Sequence, residues 1–572
     1  MADSLESSPA GARVMRMAAN GVWGLLGMAL VVTSAAADPP APPGANPSGL
    51  FGPAINPVDR QFDRLGGQPL GRDAVPERTG TPSSLDLFQR PSPSSPPVGR
   101  TWTISPSIGV QGVATDNLRN SATRRESSVY TVIAPGVVVS ADTSSLRGSL
   151  SYQPTVRLHA GSSDQNRVDQ QFSGRALATV LPELLFVDVR GFGAVRPVSG
   201  GVAPESTQTI SREDRVQSTS YQVSPYLLQR FGGLATLQVG YAYRQTSDTG
   251  RSAFLPGQSQ PFFTNQDTTS NEGFAVLRSG EDWGRFAFEA RSVNTQFDGS
   301  GIYNGAHRYV QTLQTRYSLT REVALLGEGG YEDQRFNGAT PLVIQEPIWN
   351  VGIRVSPDDD SYLTVRYGQR EGFESISVNG AASLTPLTRV FVAYSERLST
   401  TTQNGSDLID TLVVDSFGNL VDSVTGAPAL LAFGNSLAAV QVSQFKVKRS
   451  AASINQTFPR DRLTLAVQRV EREPVAVAPG TFAFAQTTNS VSLAWSRNLS
   501  EVTTAFAFGQ YGQSQSAIAG DGDNFTLQFT LATRLTESMS GTLQYLYTNR
   551  GNDAQADRTI QNAVIVGLRQ FF

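Results

Sequence analysis

Arg558-Thr-Ile-Gln-Asn-Ala-Val-Ile-Val-Gly-Leu-Arg-Gln-Phe-Phe572 alternates with a period of two, and Val564, Val566, Leu568 and Phe572 fall on one face with Asn562 and Gln570 in the same register. Successive side chains of a strand point to opposite sides, so this stretch reads as one β-strand with an apolar face. The pattern recurs upstream. Leu146, Gly148, Leu150, Tyr152, Val156 and Leu158 oppose Arg147, Ser149, Ser151, Gln153 and Arg157. Leu237, Val239, Tyr241 and Tyr243 oppose Thr236, Gln238 and Arg244, and Phe525, Leu527, Phe529 and Leu531 oppose Thr526, Gln528 and Thr530. Such alternation describes a sheet with one apolar and one polar face.

Segment length and connection length decide what kind of sheet. The segments often exceed the ~9–11 residues of a tilted membrane-spanning strand, whereas soluble strands average ~5–6. Short connections, such as Leu181-Pro-Glu183, Phe231-Gly-Gly-Leu234, Leu319-Thr-Arg-Glu322 and Leu535-Thr-Glu537, alternate with long ones, such as 198–215, 248–266 and 400–442. A soluble sandwich has no reason to sort its loops by end; a membrane barrel does. Counting through predicts an all-β chain from 101 to 572, a transmembrane up-and-down antiparallel β-barrel of about 22 strands. It becomes 20 if the pair around Glu371-Gly372-Phe373 is discounted. Trp102, Trp283 and Tyr362, beside short turns, are expected in an aromatic girdle. Val564, Val566, Leu568 and Phe572 are expected to form the assembly signal read by the barrel-assembly machinery.

Composition removes several classes of function. Net charge is -3 with no basic excess, which argues against nucleic acid as a partner. Cys is absent, so disulfides, thiolate chemistry and cysteine metal sites are excluded together. Near the start, Arg13 and Arg16 precede the apolar run Gly21 to Val32 and Thr33-Ser-Ala-Ala-Ala37, which predicts a signal peptide over 1–37 cleaved before Asp38. Residues 38–100 hold 14 of the 32 prolines, so an extended, unpacked periplasmic tail is expected there.

Several motifs together resemble a known family. Thr115-Asp-Asn-Leu118, Ile133-Ala-Pro-Gly-Val137, Ser149-Leu-Ser-Tyr152 and Leu184-Leu-Phe-Val-Asp188 open the set. Val223-Ser-Pro-Tyr226 with Phe231-Gly232, Tyr394-Ser-Glu396 before Thr400-Thr-Thr-Gln403, Lys446-Val-Lys-Arg449 and Arg462-Leu-Thr-Leu465 complete it. These resemble an outer-membrane β-barrel family associated with exosortase/PEP-CTERM and exopolysaccharide systems of Gram-negative bacteria. The resemblance implies a barrel near a polysaccharide or surface-protein pathway and supplies no catalytic residues.

The candidate site is the lumen. Alternation puts Arg147, Arg157, Arg175, Asp188, Arg190, Arg244, Glu289, Arg291, Arg316, Glu328, Glu332, Arg366 and Gln468 on the polar face. Charge facing lipid would cost ~2–4 kcal/mol for Arg or Lys at mid-depth, so these are expected to face inward. They can brace the wall as ion pairs, or line a path for polar and anionic solutes such as uronic-acid glycans. Within 400–442, two short strands around Phe417-Gly-Asn419 are expected. Folded inward, that loop would set Asp407, Asp410, Asp415 and Asp422 opposite the wall arginines as a constriction; folded outward, it would extend the rim.

An enzyme reading has little to stand on. His159 and His307 are the only histidines, and Ser162 and Ser163 lie near His159 in sequence alone. Asp358-Asp-Asp360 lacks the Gly and distal Glu of a calcium loop, so neither metal nor cofactor is expected. The sequence thus supports a porin-like conduit or export-associated channel, with a closed scaffold barrel as the alternative. Outer-membrane lipid or lipopolysaccharide would surround it, and polysaccharide-export proteins would be reached through the Pro-rich tail.

Overall fold

The computed structural model describes residues 102–198, 209–255, 258–358, 361–400, 412–414, 420–422, 440–552 and 555–572. The segments expected as signal peptide and Pro-rich tail lie outside them. The chain divides after Pro47, and every described residue belongs to the unit Ser48–Phe572.

Alternating sequence builds one closed antiparallel sheet. Its 24 ladder segments include two strands that are each interrupted once: Leu146–Tyr152 continues as Thr155–His159, and Arg167–Asp169 continues as Phe172–Leu181. Counted whole, they give a 22-strand barrel. The first break falls at Pro154, which has no N–H to give a ladder; the Gln153 N–H instead bonds the Gln171 carbonyl at 2.8 Å, across both breaks. Neighbours in sequence are neighbours in the ring, and Trp102–Thr115 closes on Gln555–Phe571 from Ser107↔Phe571 to Thr115↔Ala563. An even number makes that closure antiparallel. The smaller count of 20 is excluded, because Tyr362–Arg370 and Phe373–Thr385 are both wall strands, paired from Arg370↔Phe373 to Tyr362↔Ala381. Their turn, Glu371-Gly372, takes positive φ at both residues.

The two faces invert the logic of a water-soluble protein. Val129 is 69% and Val566 56% exposed, while Thr526 and Gln528 on the other face are 0% exposed. A continuous apolar exterior of this size is not tolerated in water; hydrocarbon around it removes the cost. No helix among the described residues is long and apolar enough to cross a membrane.

Three expectations need correction. Loop lengths do not alternate strictly, because two connections at the long-loop end are only two residues, 371–372 and 553–554. Strands there run further than the sequence pattern suggests, leaving 251–265 as the connection where 248–266 is expected. Tyr362 is not in the girdle: it is buried, its hydroxyl bonds Asn379 Oδ1 at 2.8 Å, and Arg354 lies over its ring. Its phase is that of buried Thr364, which overrides its position beside a turn. Trp102 and Trp283 are exposed at the short-turn end, Trp283 packing edge-on against Phe288 at 5.0 Å.

Candidate functional site: the inner wall and its roof

Most of the charged inner residues form ion pairs or hydrogen bonds along the wall. Arg190 Nε donates to Asp188 Oδ1 at 2.8 Å, with Arg175 at 3.7 Å from the same carboxylate. Arg278 binds Glu289 at 2.5 Å, and Arg370 lies 3.4 Å from Glu328, which also accepts from Gln314. Arg244 donates twice to Gln222 Oε1, and Glu332 accepts from Gln334 at 2.7 Å. Arg291, Arg316, Arg366 and Gln468 stand opposite Thr312, Leu326, Ser377 and Ala451 in the ladders and share their face. Two of the charged inner residues are open: Arg175 is 47% exposed, and Arg147 sits at the short-turn rim, 64% exposed, 3.3 Å from Asp142, itself 60% exposed.

The tightest cluster centres on a residue that the sequence reading passed over. Asp169 draws the Nε atoms of Arg157, Arg167 and Arg215 to 3.1, 3.2 and 2.5 Å, with both Arg157 and Asp169 only 3% exposed. Arg157 and Arg167 are direct cross-strand partners, a like-charge pairing that needs a carboxylate between them. The cluster also closes a seam. Pairing between the strands of Phe172–Leu181 and Leu185–Pro197 stops at Phe172↔Gly193. Beyond it, side chains take over: Gln217 bonds both the N–H and the carbonyl of Gln170, and Arg167 donates to the Ile210 carbonyl. The alternation Arg167-Val-Asp169 was a usable signal for an inward pair; Arg215 is distant in sequence and was not.

Outside the wall, Arg119 joins Glu126 at 2.9 Å and Asp164 at 2.8 Å. The hydrogen bond from Ser162 and then Arg119 hold the Glu126 carboxyl below its ordinary range, and Arg119 followed by Gln165 does the same for Asp164.

The long connections roof the lumen. Val198, Phe263, Ile302, Phe336, Val442 and Phe484 belong to one buried apolar cluster. Main-chain bonds tie connections from opposite sides of the ring. The Val440 N–H donates to the Val198 carbonyl at 2.8 Å, and the Phe482 N–H donates to the Pro261 carbonyl at 2.9 Å. Residues 412–414 and 420–422 pair as the expected short hairpin, Leu412↔Asp422 to Val414↔Leu420. Asp407, Asp410 and Asp415 lie outside the described residues, and Asp422 is described in its backbone alone.

Neither histidine meets a nucleophile. His159 is buried and stacked on Tyr130 at 4.3 Å, while the Ser162 hydroxyl donates to Glu126 at 2.7 Å. His307 lies 3.4 Å from Asp333 and stacks on Tyr309. No group of three or more His, Cys, Asp or Glu able to hold a metal occurs among the described residues. Val564, Val566, Leu568 and Phe572 all point outward.

No family model matches the chain, and no curated protein matches it. Among solved structures it is similar to the FrpB iron transporter of Neisseria meningitidis, with 7% identity, 83% of this chain and 82% of that one covered, and a TM-score of 0.49. It is similar to the siderophore receptor PiuA of Acinetobacter baumannii at 9% identity, 82% of each chain and a TM-score of 0.45. OccK2 of Pseudomonas aeruginosa, in complex with glucuronate, shares 10% identity over 82% of this chain and 98% of that one, with a TM-score of 0.33. At such identities and scores the likenesses add nothing to what the strand ladder itself establishes: a closed 22-strand barrel, apolar outside and polar within.

Proposed function

We propose that this protein is an outer-membrane conduit for polar solutes that serves the secretion of exopolysaccharide or surface protein. The observation that carries the reading is the closed ring, with its apolar side exposed and its charged side buried. The secretion link rests on the motif resemblance. In this reading the strand ending at Phe572 is recognised by the barrel-assembly machinery, lipopolysaccharide surrounds the exposed belt, and residues 38–100 reach export proteins in the periplasm.

The roof favours a second reading, a scaffold barrel with a closed lumen, because connections from opposite sides are bonded across the mouth. Planar-bilayer recording with the purified mature protein separates the two. Discrete conductance steps are expected for the conduit; an electrically silent protein that is folded and inserted means a scaffold. Deleting 405–435 tests the constriction, which requires a larger step. Deleting the gene should abolish secreted polysaccharide, and unchanged secretion would detach the barrel from that pathway.

A further inference from the structure

At its short-turn end the inner wall buries four polar side chains that stand in different strands. Gln238 lies near the start of Ala235–Gly250 and Thr364 near the start of Tyr362–Arg370. Asn455 lies near the end of Ser443–Thr457, directly opposite Thr464 near the start of Asp461–Val477. Each is only 2–3% exposed, while the neighbours Val239, Leu363, Ile454 and Leu465 are exposed on the other face, so all four point into the ring. Both amide atoms of Gln238 and of Asn455, and the hydroxyls of Thr364 and Thr464, have no hydrogen-bond partner among the described residues. Buried groups of this kind take a partner in nearly every native protein.

The wall does not supply that cover from its own width. Eight strands enclose a space that side chains just fill, and the diameter grows with strand number, so a ring of 22 is far too wide. Filled with water, it would leave these amides and hydroxyls accessible. The roof is distant: Ala476 belongs to its cluster, and Thr464 lies twelve residues back along the same strand, ~40 Å of extended chain.

The polypeptide that enters at the short-turn end is the one preceding Trp102, the exposed first residue of the first strand. Residues 38–100 are several times longer than a wall strand. Their 14 prolines have carbonyls and no N–H, and Asp59, Asp63, Asp73, Glu77 and Asp86 add carboxylates. Those acceptors suit the amide N–H and hydroxyl donors of the wall, while Arg60, Arg64, Arg72 and Arg78 suit its amide oxygens.

We propose that residues 38–100 seat in the short-turn half of the lumen as a plug of the resting barrel. The plug goes beyond the conduit reading: for the tail to reach export proteins in the periplasm, it must leave this seat.

Limited trypsin digestion of the mature protein, folded in detergent, tests the seat, with a peptide of residues 38–100 as the reference. Cleavage after Arg60, Arg64, Arg72 and Arg78 is expected to be at least about tenfold slower in the folded protein. Because the chain has no Cys, Leu70→Cys can carry a benzophenone that locates the tail without touching the barrel. Cross-links are expected within one molecule, to Ala235–Gly250, Ser443–Thr457 or Asp461–Val477. Cleavage at the peptide's rate, or a tail that cross-links only to a second copy or to none of these strands, overturns the plug. Bilayer recording of a 48–98 deletion separates plug from conduit, since larger or more frequent conductance steps are expected if both hold. A protected, cross-linked tail in a barrel that stays silent after the deletion leaves the plug standing and sinks the conduit. An unprotected tail in a barrel that conducts sinks the plug alone.

Discussion

Asp169 is the residue on which the inner wall is most dependent. Three guanidinium groups lie within 3.2 Å of its carboxylate, and two of them face each other across a ladder. Removing one partner of a buried ion pair costs about 3–5 kcal/mol, because the remaining charges stay desolvated. Asp169→Asn is therefore expected to lower the urea midpoint of the folded barrel in micelles by that equivalent. Arg147→Gln, at an open rim pair, should change stability by less than about 0.5 kcal/mol. Equal effects from the two would show that burial does not set the value of these pairs. On the outer face, Val566→Arg should destabilise the barrel by about 2–4 kcal/mol, measured in the same titration.

Between residues and the whole stand the connections. Glu126 and Asp164 have carboxyls held below their ordinary range, by Ser162 with Arg119 and by Arg119 with Gln165. A depressed carboxyl stabilises the fold above its unfolded pKa, about 4, and that contribution disappears as pH falls through the lower folded value. Protease cleavage within 116–127 and 160–166 should thus be slow from pH 7 to 5 and accelerate below about 4. Constant protection across that range would contradict the network. Alternation in Phe525 to Leu531 and Leu237 to Tyr243 made the wall legible in sequence, since period two has one structural meaning when repeated at spanning length. Tyr362 was misplaced because proximity to a turn was weighed above its phase with Thr364. The roof was not legible at all. Its bonds join Val440 to Val198 and Phe482 to Pro261, and no local pattern encodes a contact between connections on opposite sides of a ring. Asp169 lay between the two cases, its inward phase readable and its third arginine not.

For the whole molecule, the account depends on a cylinder whose exterior meets hydrocarbon and whose interior is polar. Under the conduit reading, loosening the roof, for example by Phe263→Ser and Phe484→Ser together at the buried cluster, should raise the frequency of conductance steps in bilayers. Unchanged recordings from a folded variant would mean that the roof does not gate. The native absence of Cys allows the most direct test of the cylinder itself. Single cysteines are placed in turn at each position from Phe525 to Leu531, labelled with a fluorophore after folding into vesicles, and quenched from lipid or from water. The account predicts strict alternation, with lipid quenching at 525, 527, 529 and 531 and none at 526, 528 and 530. Uniform quenching along the stretch, or lipid access at the even positions, would contradict it.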